Sequence, residues 1–163
     1  MLLDLQNLFS DAQSLSGNAL ATNVIDLAVA RAIGNGEEME VLFEVDVAAD
    51  QGTGDETYQF DVEYASDAGQ TTARRLVGRR IFQAGTPTAP NEDADLLVAG
   101  FKFAIPVPAT AVGSGLTSEA NRYLGVRYVL SGTTPTLTVT AHLQPAAMGE
   151  VAQPIYPKGY TVS

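Results

Sequence analysis

The stretch TYQFDVEY (57–64) alternates strictly between apolar and polar residues. Every second position is large and apolar: Tyr58, Phe60, Val62 and Tyr64. The positions between them are polar: Gln59, Asp61 and Glu63. Successive side chains of a strand point to opposite faces of its sheet. The period of two therefore predicts an antiparallel strand with one buried face and one acidic face.

The same period of two recurs along the chain. It is clear in four further stretches, 39–47, 101–107, 122–132 and 136–143, and weaker in 22–27 and 79–84. Pro106 places the stretch 101–107 at a sheet edge or a strand end. Loops rich in Gly, Pro, Asp and Thr separate the strands, and no alternation of strands with helices is visible. The pattern predicts an all-β protein, a jelly-roll-like antiparallel β-sandwich.

The two ends of the chain lack this alternation and are interpreted as extended arms. We expect an N-terminal arm over 1–21, a sandwich domain over 22–143 and an extended C-terminal tail over 144–163. Both arms carry large apolar residues, which disordered segments usually lack. We therefore expect the arms to dock, either on their own domain or on a neighbouring chain.

Within the N-terminal arm, LFSDAQSL (8–15) has the features of a short helix. Ser10 and Gln13 have the spacing of a capping box. The apolar residues would then share one helical face: Leu8, Phe9, Ala12 and Leu15. A helix of about two turns is marginal by itself, so the segment needs a surface to pack against.

Composition excludes several classes of protein. The chain has no cysteine, which excludes disulfides, thiolate metal sites and cysteine nucleophiles. Nine basic and nineteen acidic residues give a net charge of −10, which repels nucleic acid and anionic membranes. No apolar run approaches the ~18 residues of a membrane span, and the N-terminus lacks the basic segment of a secretory signal. We expect neither nucleic acid nor a membrane as a partner.

Residues that usually carry chemistry form no recognisable site. His142 is the only histidine and falls on the polar phase of its strand, where we expect it to face solvent or a rim contact. No Gly-x-Ser-x-Gly motif accompanies it, and one imidazole without a thiolate cannot build a zinc site. The acidic loops 50–56 and 91–95 allow adventitious calcium, but neither has the ligand order of an EF-hand. We expect no catalytic residue, no cofactor and no dedicated metal site.

Paired carboxylates are the remaining enzymatic candidate. Four acids lie on the polar phase of two strands that we expect to be neighbours: Glu44, Asp46, Asp61 and Glu63. Two carboxylates at one sugar site are the machinery of glycosidases, and a small glycosidase here would depend on Glu44 or Glu63. The same strands lack aromatic residues on their polar phase for sugar stacking. We interpret the set as a solvated acidic sheet face.

The stretch RRLVGRR (74–80) contains four arginines: Arg74, Arg75, Arg79 and Arg80. The chain around them is acidic and no aromatic residues are interleaved, which is not typical of a nucleic-acid site. Two interpretations remain open. The arginines contact an acidic partner surface, or they pair with the chain's own acids.

Two regions carry a resemblance to a known family. LFSDAQ (8–13), TNVIDL (22–27) and the R-x-I-G-x-G-E pattern of 31–37 resemble, in order and spacing, the start of the Bbp16-like capsid cement proteins of tailed bacteriophages. RYLGVRYVLSGTTPTLTVTAHL (122–143) resembles the closing strand pair of that family. Ala28 stands where glycine is common in the family.

The resemblance implies a jelly-roll-like protein that clamps neighbouring major capsid subunits on the outer surface of a phage head, after assembly in the host cytoplasm. Its partners would be the major capsid protein and copies of itself, as a dimer or a trimer. Our candidate contact residues are the anchors of the arms and the arginines: Leu8, Phe9, Arg74, Arg75, Arg79, Arg80, Ile155 and Tyr156. The alternative is a carbohydrate-binding or host-adhesion β-sandwich displayed on the particle. That alternative needs exposed aromatic residues, for which Phe82, Tyr156 and Tyr160 are the candidates.

Overall fold

A computed structural model describes residues 7–27, 38–50, 52–83, 97–107 and 122–146. These residues form nine strands and no α-helix, and thus no helix that could cross a membrane. The strands are β1 (Leu8–Leu15), β2 (Ala19–Leu20), β3 (Ile25–Asp26), β4 (Met39–Val47), β5 (Thr57–Ala65), β6 (Arg75–Gln83), β7 (Lys102–Val107), β8 (Tyr123–Ser131) and β9 (Leu137–Pro145).

The strands form two antiparallel sheets. Sheet A has the order β1-β9-β4-β7, and sheet B has the order β2-β8-β5-β6, with β3 also paired to β8. The pairing is nested, since β1 pairs with β9, β2 with β8, β4 with β7 and β5 with β6. A long hairpin rolled up on itself gives this order, which is that of a jelly roll. The prediction of an all-β, jelly-roll-like sandwich is confirmed.

The core lies between the two sheets and is rich in aromatic rings. Phe43 of β4 and Phe103 of β7 stack with ring centroids 4.9 Å apart. Phe60 of β5 meets both rings edge to face, at 5.4 and 4.9 Å. These geometries add to the stabilisation that area burial alone provides. The apolar phase of 57–64 points into this core, as its alternation predicts.

The prediction of a helix over 8–15 is wrong. The segment is strand β1, which pairs with β9 from Leu8 opposite His142 to Leu15 opposite Leu137. Ser10 Oγ does donate to Gln13 Oε1 at 2.7 Å, but this contact lies within two irregularities of the register, beside Ala12 with φ of 42°. Pairing with β9 provides backbone partners along a strand of eight residues, whereas a two-turn helix leaves most of its end groups unpaired.

The described parts of both arms belong to the sandwich. Within the expected arm 1–21, β1 and β2 are strands of sheets A and B, so residue 21 is not a structural boundary. At the other end, β9 continues to Pro145, and the buried Gln144 donates to Glu40 Oε1 at 2.7 Å.

Candidate interaction surface

The outer face of sheet B carries an ion pair between a half-exposed arginine of the edge strand and a buried aspartate. Arg79 of β6 lies opposite Asp61 of β5, and its Nε and Nη2 donate to the two carboxylate oxygens at 2.7 and 2.8 Å. Gln59 Nε2 donates to the same carboxylate at 2.9 Å. Asp61 is only 2% exposed, so these three donors replace its hydration.

Glu63, the next outward residue of β5, contacts two further arginines. Its Oε2 accepts from Arg127 Nε of β8 at 3.1 Å and lies 3.6 Å from Arg74 Nη1. Arg127 also donates through Nη2 to the carbonyl of Gln70 at 2.8 Å. With the Arg79–Asp61 pair included, the cluster contains three arginines and two carboxylates. Its net charge is therefore +1, in a chain whose net charge is −10.

The loop between β5 and β6 (66–74) lies over part of this face. The carboxylate of Asp67 shapes the loop by accepting from the backbone N–H of Thr72 at 2.7 Å. Gln70 lies over Gly125 of β8, where a Cβ would come within 1.3 Å of the Gln70 Nε2. The missing side chain at Gly125 therefore makes room for the loop to cover Glu63.

The interpretation of Glu44, Asp46, Asp61 and Glu63 as one solvated acidic face is wrong. Glu44 and Asp46 lie on the outer face of sheet A, whereas Asp61 and Glu63 lie on the outer face of sheet B. The second pair is buried in ion pairs rather than solvated. Since the two sets point away from each other across the sandwich, they do not form the carboxylate pair on which the glycosidase hypothesis depended.

The four clustered arginines fall into two groups. Arg74 and Arg79 pair with the chain's own acids. Arg75 and Arg80 are exposed, and neither makes an ion pair with any residue in the part of the chain that the structure describes. The Arg80 guanidinium lies over the ring of Phe82, 5.3 Å from its centroid, which is the geometry of a cation–π contact.

Two aliphatic side chains of the same strand are also exposed. Leu76 is 47% exposed and Ile81 is 42% exposed. We call Arg75, Leu76, Arg80 and Ile81 the β6 strip; its arginines lie on the core-facing phase of the strand and its aliphatic residues on the outward phase. Sequence reasoning missed its aliphatic members, although a signal was present: neighbouring apolar residues, as in 76–77 and 81–82, point to opposite faces of a strand, so one of each pair must face outward.

His142 is buried, in contrast to the expected solvent or rim position. It is 6% exposed on the outer side of sheet A, opposite Leu8 of β1 and Leu42 of β4 in the register. Its Nε2 lies 3.2 Å from Gln144 Oε1, and its Nδ1 has no hydrogen-bond partner in the described structure. Among the described residues, no carboxylate makes a hydrogen bond or an ion pair with the ring, unlike the aspartate that holds the histidine of a Ser-His-Asp triad.

The acidic loop 50–56 uses its carboxylates to bind the chain itself. Asp55 accepts from Thr53 Oγ1 at 2.6 Å and from the backbone N–H of Thr133 at 3.0 Å, and both contacts lower the pKa of its carboxyl. Among the described residues, no group of three or more His, Cys, Asp or Glu side chains is arranged to hold a metal ion. The loop 91–95 lies outside the described residues.

A shallow depression of about 290 Å³ lies where β1 and β4 end and β9 begins. Its lining is Ser14, Leu15, Ser16, Val47, Ala48, Thr136, Leu137 and Thr138. The lining contains no aromatic ring on which a sugar would stack. Phe82, one of three aromatic residues expected to be exposed for carbohydrate binding, is buried in the core at 1% exposure, and Tyr156 and Tyr160 lie outside the described residues.

The other candidate contact residues are placed as follows. Leu8 and Phe9 are buried within the chain's own fold, and the Phe9 side chain belongs to the core between the sheets. Their role as contacts to another chain stays a prediction. Ile155 and Tyr156 lie outside the described residues. The described candidates that are exposed are therefore the arginines, Arg74 just before β6 and Arg75, Arg79 and Arg80 on it.

Comparison with models of protein families gives a match. The model of a protein family named Bbp16 matches residues 9–143, which include all of the strands except the first residue of β1 and the last two of β9. A search of the curated proteins found no match.

Proposed function

The chain belongs to the Bbp16 family, a name that suggests a bacteriophage protein, and from this premise we propose that it is a structural cement protein of a tailed-phage capsid. In this proposal the protein binds the outside of the head and clamps neighbouring major capsid subunits. It acts as a dimer or a trimer and is incorporated into the virion during assembly in the host cytoplasm. It acts by binding alone.

The observation that carries the proposal is the β6 strip. On this edge strand, Arg75 and Arg80 are exposed on the core-facing phase and Leu76 and Ile81 on the outward phase, and arginine and apolar side chains are both favoured in protein interfaces. The strip lies on a strand anchored in the sandwich rather than on a loop. A rigid surface of this kind loses little conformational entropy on binding.

Binding to the assembled shell would stabilise the shell by mass action. A protein that binds only the assembled state contributes RT ln(1 + [L]/Kd) per site, or about 2.7 kcal/mol when its concentration is 100 times Kd. A capsid offers many equivalent sites, so a modest affinity at each site is sufficient to resist the pressure of packaged DNA.

The test uses heads that lack this protein. The purified chain is expected to co-sediment with such heads at low salt and to do so less at high salt, because part of the attraction is ionic. It is also expected to raise the temperature at which the heads disrupt. Absence of co-sedimentation at both salt concentrations would contradict the proposal, and binding to a glycan array instead would favour the carbohydrate-binding alternative.

A further inference from the structure

We propose that the loop between β5 and β6 (66–74) is a latch that opens while the two sheets stay folded, and that backbone strain in the closed loop favours opening. In the closed state the loop covers Glu63 and the backbone of Gly125 on the outer face of sheet B. In the open state water reaches both. The inference does not depend on the proposed function, because it concerns how the chain covers its own surface.

The loop has a single buried side chain, and that side chain is polar. Gln70 is 2% exposed, whereas Ser66 and Asp67 are half-buried and the other residues of the loop are exposed. Neither Nε2 nor Oε1 of the Gln70 amide has a hydrogen-bond partner in the described structure. A buried amide without partners is unfavourable, because its hydration is lost and nothing replaces it. The loop therefore has no apolar anchor, and its one buried group disfavours the closed state.

Two residues of the closed loop have a strained backbone. Gln70 has φ of 51° and Ala73 has φ of 48°, which lie in the left-handed region that favours glycine. The glycine of the loop, Gly69, does not have a positive φ. The chain thus holds two residues with a Cβ in a conformation that glycine would adopt without strain. Strain of this kind persists only where surrounding contacts enforce it, and it is released when those contacts break.

The hydrogen bonds of the loop are mostly internal. The carboxylate of Asp67 accepts from the backbone N–H groups of Thr71 and Thr72 at 3.1 and 2.7 Å, and its carbonyl accepts from the backbone N–H of Gln70 at 3.0 Å. From the sheet, Arg127 Nη2 donates to the carbonyl of Gln70 at 2.8 Å. Internal bonds keep the loop folded after this attachment breaks. The loop is therefore expected to move as one body, at a smaller free-energy cost than unfolding of the sheets.

Opening changes the surroundings of one carboxylate and one guanidinium group. The Oε2 of Glu63 accepts from Arg127 Nε at 3.1 Å and lies 3.6 Å from Nη1 of Arg74, at the end of the loop. When the loop leaves, water solvates Glu63, and Arg127 Nη2 loses the carbonyl of Gln70. That donor is then available to an acceptor oxygen of a bound molecule. The latch therefore controls whether Arg127 binds the chain's own loop or another group.

Because the chain has no cysteine, a single introduced thiol reports on opening. A thiol reagent labels Gln70→Cys when the loop opens, Val126→Cys of the core when the sheets unfold, and the exposed Ala68→Cys at all times. Gln70→Cys is expected to react at least about tenfold more slowly than Ala68→Cys and at least about tenfold faster than Val126→Cys. Its rate should be nearly independent of urea below the unfolding transition, because a local opening exposes little surface.

A second substitution tests the contribution of strain. Ala73→Gly, added to Gln70→Cys, is expected to slow labelling by about threefold or more, because glycine adopts the positive φ of the closed loop without strain. The matched control is Ala68→Gly in the same background, at a position of the loop whose φ is not positive, and it is not expected to slow labelling. Circular dichroism and thermal unfolding verify that each variant is folded.

Three results would overturn the inference. If Gln70→Cys reacts as slowly as Val126→Cys, with the same rise in urea, the loop opens only when the sheets unfold. If it reacts as fast as Ala68→Cys, the loop is not closed over the sheet in solution. If Ala73→Gly slows labelling no more than Ala68→Gly does, strain does not favour opening. None of these results bears on the cement proposal, which co-sedimentation with heads tests separately.

Discussion

At the scale of single residues, neighbouring arginines of one strand have opposite environments. Arg79 lies on the outward phase of β6 and binds the buried Asp61, whereas Arg80 lies on the core-facing phase and stacks over Phe82 at the sheet border. A strand turns successive side chains to opposite faces, so residues adjacent in sequence need not share a role. A cluster of like charges in a sequence is therefore not evidence of a single charged patch.

The two arginines should respond differently to truncation. Arg79→Ala is expected to lower the free energy of unfolding by about 2 kcal/mol, since it leaves the carboxylate of Asp61 buried with one donor. This value lies between the small contribution of a surface ion pair and the 3–5 kcal/mol cost of breaking a fully buried pair. Arg80→Ala is expected to change the free energy of unfolding by less than about 1 kcal/mol. Urea unfolding of both variants tests this, and equal losses would contradict the assignment.

Asp55 is expected to make stability depend on pH in the acid range. The hydroxyl of Thr53 and the backbone N–H of Thr133 lower the pKa of its carboxyl below the ordinary value of 3.8. The native state therefore holds this group charged more strongly than the unfolded chain does. Its contribution is fully present above pH 3.8 and is lost as the pH falls through the lowered pKa.

Asp55→Asn is therefore expected to be less stable than the wild type at pH 7, and the difference should shrink as the pH falls below 3.8. The free energy of unfolding in urea, measured for both proteins at neutral and acidic pH, provides the comparison. If the difference in the free energy of unfolding between the two proteins stays constant over this pH range, the ionised carboxylate of Asp55 is not the cause of that difference.

At the scale of elements, β1 shows how pairing overrides a local signal. The serine and glutamine at the spacing of a capping box do interact, but they do so within an irregular edge strand. The side chain of Gln13 also connects β1 to the next segment, since its Nε2 donates to the carbonyl of Leu20 at 2.9 Å. The hydroxyl of Ser10, buried at 0% exposure, lies 2.7 Å from the hydroxyl of Tyr128 in sheet B. These contacts attach the beginning of the chain to both sheets.

If β1 is part of the core, Phe9→Ala should destabilise the isolated chain strongly. Removal of a fully buried phenylalanine is expected to cost about 3–5 kcal/mol. Asp11→Ala, on the exposed part of the same strand, is the matched control and should cost less than about 0.5 kcal/mol. Thermal unfolding of the purified variants distinguishes the two. A small effect of Phe9→Ala would instead indicate an arm that is stabilised only by another chain.

At the scale of the whole molecule, each sheet edge carries a feature that discourages pairing with other strands. The β7 edge contains Pro106, and the β1 edge has two register irregularities. On the other sheet, β2 and β3 have two residues each, and β6 combines an irregularity with arginines on its core-facing phase. Such features are the means by which natural sheets avoid edge-to-edge association. Partners are therefore expected to recognise side chains rather than extend a sheet.

Pro106 allows a direct test of this view. Pro106→Val restores a backbone N–H on an edge strand and adds a residue that favours strands. The variant is expected to associate at high protein concentration, which sedimentation velocity would detect as a rise in mass. Exchange of the exposed Val47 of β4 for Thr, which leaves the β7 edge unchanged, is expected to have no such effect. A variant that stays at the wild-type mass would show that this proline does not protect the edge.

The sequence by itself determined the class of fold and the inward residues of β5 and β9, and those of β4 up to Val45, because alternation along one strand states which side chains share a face. Val47 continues that alternation but is 59% exposed, because the register shifts between Val45 and Val47. Only the tertiary structure decided that β1 is a strand, that the acids of β4 and β5 point away from each other, that His142 is buried, and that Asp61 and Glu63 are covered by arginines and a loop. Each of these depends on which strands become neighbours. That choice joins segments far apart in the chain, such as Leu8 and His142, and no local pattern encodes it.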